Sequence, residues 1–371
     1  MTIRKEWLLL GALVFSLSRP SLCESAVRGE CYNCHSMHNS EHGLVVAFTR
    51  DGSGKQVLQE QPFANLLKTD CLGCHSHTSA ETIVNMGGTT IPIVFNISEP
   101  TYPPSGSATS ALAGGNFHWV VKSGDAYGHN VDGIAAADPR FTLAPGGVER
   151  TGECINCHGT LATAQSGCEG CHVPHHHAGS AEVVAGREQG WYRFLGSVMQ
   201  RDDPASELGK FEPTSEGVVG IESPDWEQLP LPDQHNTYQG KPGPYASYLE
   251  SGALDQKCVG CHGQFHNETA ADSTWIRHPV DFAIPDSGEF ASLSVYEPLV
   301  PVARQNVIPG HANSSTITRG SDLISCVSCH RPHGSPYPAM LRWGYRDWPG
   351  TDSHTEQPAF NGCAVCHTSK D

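Results

Sequence analysis

The longest unbroken run of apolar positions is Trp7–Leu17, WLLLGALVFSL, and nothing later in the chain matches it. It is about half of the roughly 20 residues that a membrane-spanning helix needs. Arg4 and Lys5 precede it and Ser21-Leu22-Cys23 follow, so residues 1–23 read as a secretory signal peptide cleaved after Cys23. Acylation of Cys23 is the alternative, but Arg19 and Pro20 stand where a lipobox takes an aliphatic residue and small neighbours. Beyond the leader, apolar positions come in short runs. Residues 87–97 (GGTTIPIVFNI), 190–199 (GWYRFLGSVM) and 217–226 (GVVGIESPDW) predict short strands with aromatic anchors. Asp203-Pro204, Gly240–Pro244 and Pro285-Asp286 are turn signals. Helices are expected to be short, mostly single turns.

Only 38% of the 371 residues are hydrophobic, so something other than aliphatic side chains is expected to fill part of the interior. Lys and Arg number 23 against 39 Asp and Glu, a formal charge of −16, and removal of the leader makes the chain more acidic still. That balance excludes a nucleic-acid partner, which needs clustered positive charge. Loss of the leader also leaves no apolar stretch long enough for a membrane span. The 15 cysteines are an odd number, awkward for a disulfide framework.

Setting Cys23 aside, the remaining cysteines fall into seven C-x-x-C-H motifs with none left over. They are Cys31-Cys34-His35, Cys71-Cys74-His75, Cys154-Cys157-His158, Cys168-Cys171-His172, Cys258-Cys261-His262, Cys326-Cys329-His330 and Cys363-Cys366-His367. Chance would supply about 0.03 such motifs at this composition. Two thiols three positions apart add to the two vinyl groups of one haem, and the adjacent histidine then reaches the iron. Zinc ribbons pair two CxxC units per metal without an obligatory histidine, and seven units do not pair. A redox disulfide needs no histidine after its second cysteine either. Seven covalently attached c-type haems are therefore expected.

Met37, Met86, Met199 and Met340 are too few to complete seven His/Met irons, so mainly bis-His ligation is expected, with low potentials. His38, His175 and His333 each follow a motif histidine by three residues. A side chain so close cannot cross to the far face of its own haem, so each is expected to serve a neighbour. His129, His235, His266 and His278 lie in motif-poor stretches and are the other favoured ligands. His42, His77, His118, His311 and His354 are less favoured, and of the run His175-His176-His177 one ligand is expected.

Motif spacing suggests three modules after the leader: residues 24–150, an N-terminal haem pair with an insertion; 151–257, a central pair with a long insertion; and 258–371, a three-haem unit. The two ends share an order, a CxxCHxxH followed about 40 residues later by a plain CxxCH, as in a duplicated unit with insertions. The expected fold class is mostly irregular and haem-packed, with short α-helices at the CxxCH motifs and a few short β-strands.

The segments CYNCHSMHNS (31–40) and CVSCHRPHGSPY (326–337) resemble the doubled-CxxCH multihaem cytochromes c of metal-respiring bacteria. Weaker landmarks run along the chain, among them GGNFHWV (114–120), YRFLG (192–196), HNTYQG (235–240) and WIRHPVD (275–281). The resemblance implies periplasmic or extracellular electron carriage, and it favours His176 where the three-residue offset favours His175. The expected partners are redox proteins, donor and acceptor cytochromes or a terminal acceptor. No residue constellation for proton delivery stands out, so an electron carrier is expected rather than an enzyme. Two rival readings remain: a reductase of a small oxyanion or nitrogen compound with one open iron, and a subunit of an extracellular cytochrome filament.

Overall fold

The computed structural model describes residues 27–41, 43–50, 56–61, 66–103, 107, 109–141, 144–146, 161–162, 167–196, 217–229, 231–242, 252–262, 278–310, 314–345 and 360–369. The leader, the motif at Cys154, Cys157 and His158, and His42, His266, His311 and His354 lie outside the described residues.

Among the described residues regular backbone structure comes in short pieces. The strands form two-stranded ribbons, antiparallel except for Ser76–His77 beside Phe95–Asn96. The run 87–97 is extended as expected: Thr89–Pro92 pairs with Ile83–Met86 across a tight turn. Gly220–Ile221 pairs with Thr237–Tyr238, in keeping with the strand read in 217–226. The strand expected over 190–199 is not found in its described part. Tyr192–Phe194 is a 3-10 turn in which Arg193 (φ 50°) and Phe194 (φ 57°) are left-handed. Burial of Trp191 and Tyr192 on neighbouring elements and a demand on the Arg193 carbonyl, described below, override the local strand preference.

Helices are one or two turns long and mostly coincide with the motifs: Cys71–His75, Gln256–His262, Cys326–Cys329 and Cys363–Cys366, with 3-10 turns at Cys31–Asn33 and Gly167–Gly170. Among the described α-helices the exception is His118–Ser123, which carries Trp119 into the interior. Among the described residues no helix is long and apolar enough to cross a membrane.

Three small apolar clusters replace a single core, and each abuts a motif. Tyr296, Val300, Val302 and Trp343 surround Cys329, Cys363 and Cys366. Phe117, Val120 and Val131 pack with Cys168. Tyr192, Tyr238, Leu254 and Leu323 pack with Val327, inside a motif. Contacts cross the module boundaries read from motif spacing. The Arg331 guanidinium donates to the carbonyls of Leu112 (2.9 Å) and Ala113 (3.0 Å), and Asn116 N–H donates to Gly334 O at 3.1 Å. At this crossing Gly115 (φ +87°) and Gly334 (φ +131°) meet backbone to backbone. A Cβ on Gly115 would fall 2.1 Å from Gly334 O, so no larger residue fits.

Candidate haem-binding sites

Each motif needs one helical turn, and the chain supplies it with one recurring bond. The histidine N–H donates to the carbonyl of the first cysteine: His35 to Cys31 (2.9 Å), His172 to Cys168 (2.9 Å), His330 to Cys326 (3.0 Å) and His367 to Cys363 (2.9 Å). That closure puts the two sulfurs, three positions apart, on one side of the turn. Local caps start the turns. Asp70 Oδ1 accepts from Gly73 N–H at 2.9 Å, and Ser325 with Ser328 forms a reciprocal capping box.

The ring orientation is set by Nδ1. It donates to a backbone carbonyl in His75 (Pro92 O, 2.8 Å), His172 (Arg193 O, 2.9 Å), His262 (Pro145 O, 2.7 Å) and His330 (Ala339 O, 2.7 Å). The carbonyl fixes the tautomer and leaves the Nε2 lone pair facing outward, as a metal ligand requires. Two of these carbonyls come from left-handed residues, Arg193 and Ala339 (φ 57°). The surrounding bonds repeat as well: Val173 N–H donates to Phe194 O (2.7 Å), and Arg331 N–H to Met340 O (2.9 Å). In both places a strained 3-10 turn aims a carbonyl at a motif histidine, which accounts for backbone conformations that non-glycine residues seldom adopt.

Five of the six described motif histidines face a second imidazole. Ring centres are 5.8 Å apart for His35 and His177, 6.2 Å for His75 and His176, and 6.0 Å for His172 and His333. They are 6.1 Å apart both for His262 and His129 and for His367 and His278. The interplanar angles range from 16° to 86°, so the shared feature is the separation and not ring stacking. A metal–imidazole bond of about 2.0 Å on each side, with each ring centre about 1.1 Å behind its nitrogen, gives about 6.2 Å across one metal, with rotation about the axis unconstrained. Burial lowers the pKa of His75, His129, His172, His176, His262 and His333. It pushes His129 and His172 down to about 4 and His333 down to about 3, with neighbouring imidazoles adding to the effect. The donor set of two thiols on one turn, an oriented imidazole and a second imidazole at metal-spanning distance fits c-type haem.

The histidines picked from sequence divide. His129, His176, His278 and His333 come to motif histidines, and each meets a motif remote in sequence. His333 lies over His172 and not over its own His330, as the three-residue offset anticipates. His175 does not come to one; its ring meets the edge of Trp191 at 5.4 Å. His235 does not either. Its ring stacks on Tyr296 at 3.6 Å, with Nδ1 on Asn236 O (2.7 Å) and Nε2 near Ser314 O (3.2 Å), the setting of a hydrogen-bonded core histidine. His38 is exposed.

Two residues outside the favoured set also stand out. His177 faces His35 while its neighbour His176 faces His75, so the triple run supplies two rings where one was expected. The only sequence signal was the run itself. His118 is buried, with Nδ1 on Asn96 O at 3.0 Å and Nε2 unpartnered. Asn116 braces it by accepting from His118 N–H at 3.0 Å.

Residues 318–371 match the family model of the doubled CXXCH motif. The C-type cytochrome OmcS of Geobacter sulfurreducens is 26% identical over 397 aligned positions, covering 90% of this chain and 82% of that protein. The solved outer membrane cytochrome S filament from Geobacter sulfurreducens matches with a TM-score of 0.51 at 20% identity, over 86% of this chain and 85% of that one. The irregular fold with short helices and strands that the sequence suggests is thus like that of a known cytochrome, and the family resemblance read from the motifs is borne out.

Proposed function

We propose that this relative of the doubled-CxxCH multihaem cytochromes c is an exported electron-transfer protein of extracellular respiration carrying seven c-type haems. The observation that carries the reading is the set of five imidazole pairs at 5.8–6.2 Å, each beside a pair of motif cysteines. Bound haem supplies one-electron ferric/ferrous chemistry. The chain's own residues attach it and orient rings through carbonyls. Cys154, Cys157 and His158 would hold the remaining haem, and His266 is kept as a candidate ligand. Residues 1–23 direct export. OmcS, a named C-type cytochrome, and the filament matched in fold support the assignment.

Neighbouring motifs form a succession. The Sγ atoms of Cys258 and Cys326 lie within 4.8 Å of each other, and Cys168 is close enough to Cys71 to lower its thiol pKa. Cys34 is close enough to Cys74, and Cys363 to Cys329, to raise the partner thiol electrostatically, and Lys257 feels both Cys171 and Cys258. This supports a relay from the Cys31 motif through those at Cys71, Cys168, Cys258 and Cys326 to the one at Cys363.

Intact mass should report seven haems, and potentiometric titration should give overlapping low-potential transitions with low-spin spectra throughout. High-spin ferrous signals from several haems would overturn bis-His ligation. A cyanide-induced change in one haem would favour the reductase reading instead.

Self-assembly is a second reading favoured by a separate observation. Tyr32, Met37, Leu44, Phe48, Leu66 and Leu67 are exposed in one stretch of the N-terminal region, Met37 by 74%. An acidic chain with such a face suits contact with another copy of itself. Light scattering and negative-stain imaging of the haem-loaded protein test it, and a monodisperse monomer at high concentration would discard it.

A further inference from the structure

Where the Cys258 and Cys326 motifs meet, a carboxylate lies between them. Asp255 is 1% exposed. Its main-chain carbonyl accepts from Cys258 N–H and Val259 N–H, both at 3.0 Å, and so opens the helix Gln256–His262. Its side chain turns to the other motif. Oδ1 accepts from Ser325 Oγ at 2.7 Å, and Cys326 N–H lies 3.2 Å from Oδ1 and 3.1 Å from Oδ2. One carboxylate oxygen and the Sγ atoms of Cys258 and Cys326 all fall within 4.8 Å of one another. Three such donors resemble a metal site, but haem attachment uses both sulfurs as thioethers. Asp281 is buried beside Asp255 and adds further negative potential.

Asp70 provides the contrast. It precedes Cys71 on an exposed edge and caps its own turn. Asp255 opens its own turn with its backbone and caps a foreign one with its side chain. One residue thereby ties together two attachment sites about seventy positions apart in sequence.

We propose that Asp255 is a positioning residue for electron exchange between the haems attached at Cys258/Cys261 and Cys326/Cys329, clamping the start of the second attachment turn onto the first. The proposal rests on the reading that both motifs carry haem. Exchange between two haems depends on how closely the protein holds them, and here the two nearest attachment sulfurs are registered by one side chain.

The test uses the full, haem-loaded chain as wild type, Asp255→Ala and Asp255→Asn. Peptide mass mapping first establishes haem at both cysteine pairs; a wild type lacking either haem overturns the haem reading and the clamp with it. The readouts are the Soret circular dichroism couplet from interacting haems and the midpoint potentials. Loaded Asp255→Ala should show a smaller couplet and a change in two of the seven transitions of about tenfold in the ferric/ferrous equilibrium, 59 mV for a one-electron couple. Asp255→Asn, whose amide oxygen still accepts from Cys326 N–H, should restore the wild-type couplet. A loaded Asp255→Ala matching wild type in both readouts overturns the clamp. If the alanine variant fails to load haem, the asparagine variant decides alone: a wild-type couplet supports the clamp, and a lost couplet in the loaded protein overturns it.

Discussion

The stretches 31–40 and 326–335 carry the same motif, CxxCHxxH followed by one residue, Asn39 or Gly334, and then serine, yet they are put to different uses. Around Cys31 the turn buries no residue, Tyr32 is 53% exposed, and His38 faces solvent at φ 51°. A hairpin turns the chain straight back, with Ser40–Glu41 paired to Leu44–Val45. Around Cys326 the turn is closed by a capping box whose serines are 1% exposed. There the trailing histidine is carried inward: His333 N–H donates to Gly114 O at 2.8 Å, and its ring stacks on Phe117 at 4.7 Å. The motif therefore determines where a haem is attached. The segment it packs against determines what the trailing histidine does, an interior ring over His172 in one place and a surface group in the other.

The most severe way to break the comparison is to remove the trailing histidine. His333→Ala should convert one haem to high spin, read in the ferrous spectrum, with imidazole restoring the low-spin form. His38→Ala should leave the spectrum of the isolated chain unchanged. Equal effects would mean that both histidines ligate within one chain.

Glycine substitutions come next. A Cβ on Gly334 (φ +131°) would lie 2.6 Å from Tyr127 O and 2.8 Å from Asn116 O, so Gly334→Ala should destabilise by more than about 2 kcal/mol in chemical unfolding. Gly43 (φ +77°), in the N-terminal hairpin, has no atom of the described residues within 4 Å of that position, so alanine there should cost only the left-handed backbone penalty of about 1 kcal/mol.

The histidine run sharpens the contrast from the N-terminal side, because His177 is what faces His35. His177→Ala should alter the spectrum of one haem, whereas His175→Ala should remove only the contact with Trp191 and leave ligation intact. The smallest effect is expected at a cap. Asp70→Ala removes the acceptor for Gly73 N–H and should cost about 1 kcal/mol with no change in haem count by intact mass.

Attachment chemistry was legible in the sequence because it is local. CxxCH is one turn of helix, and both thiols and the first imidazole are set within it. The short helices were legible for the same reason. The strand expected over 190–199 was not found because Arg193 must turn its carbonyl to His172, a requirement carried by another segment. His235 was picked because it stands in a motif-poor stretch; Tyr296, far along the chain, claims its ring instead. His333 and His175 obey the same three-residue spacing, yet the ring of the first lies 6.0 Å from that of His172 and the ring of the second meets Trp191.

The sequence by itself determined the attachment points and the chemistry of the interior: cysteine pairs with an adjacent imidazole, too few methionines to complete the irons, and too little aliphatic content for an ordinary core. Only the tertiary structure decided which second imidazole meets which first. The reason is physical. A thioether pair and its proximal ring are set by bonds within five residues, whereas a distal ring reaches its partner only when segments remote in sequence pack, as Gly115 and Gly334 do beside His333.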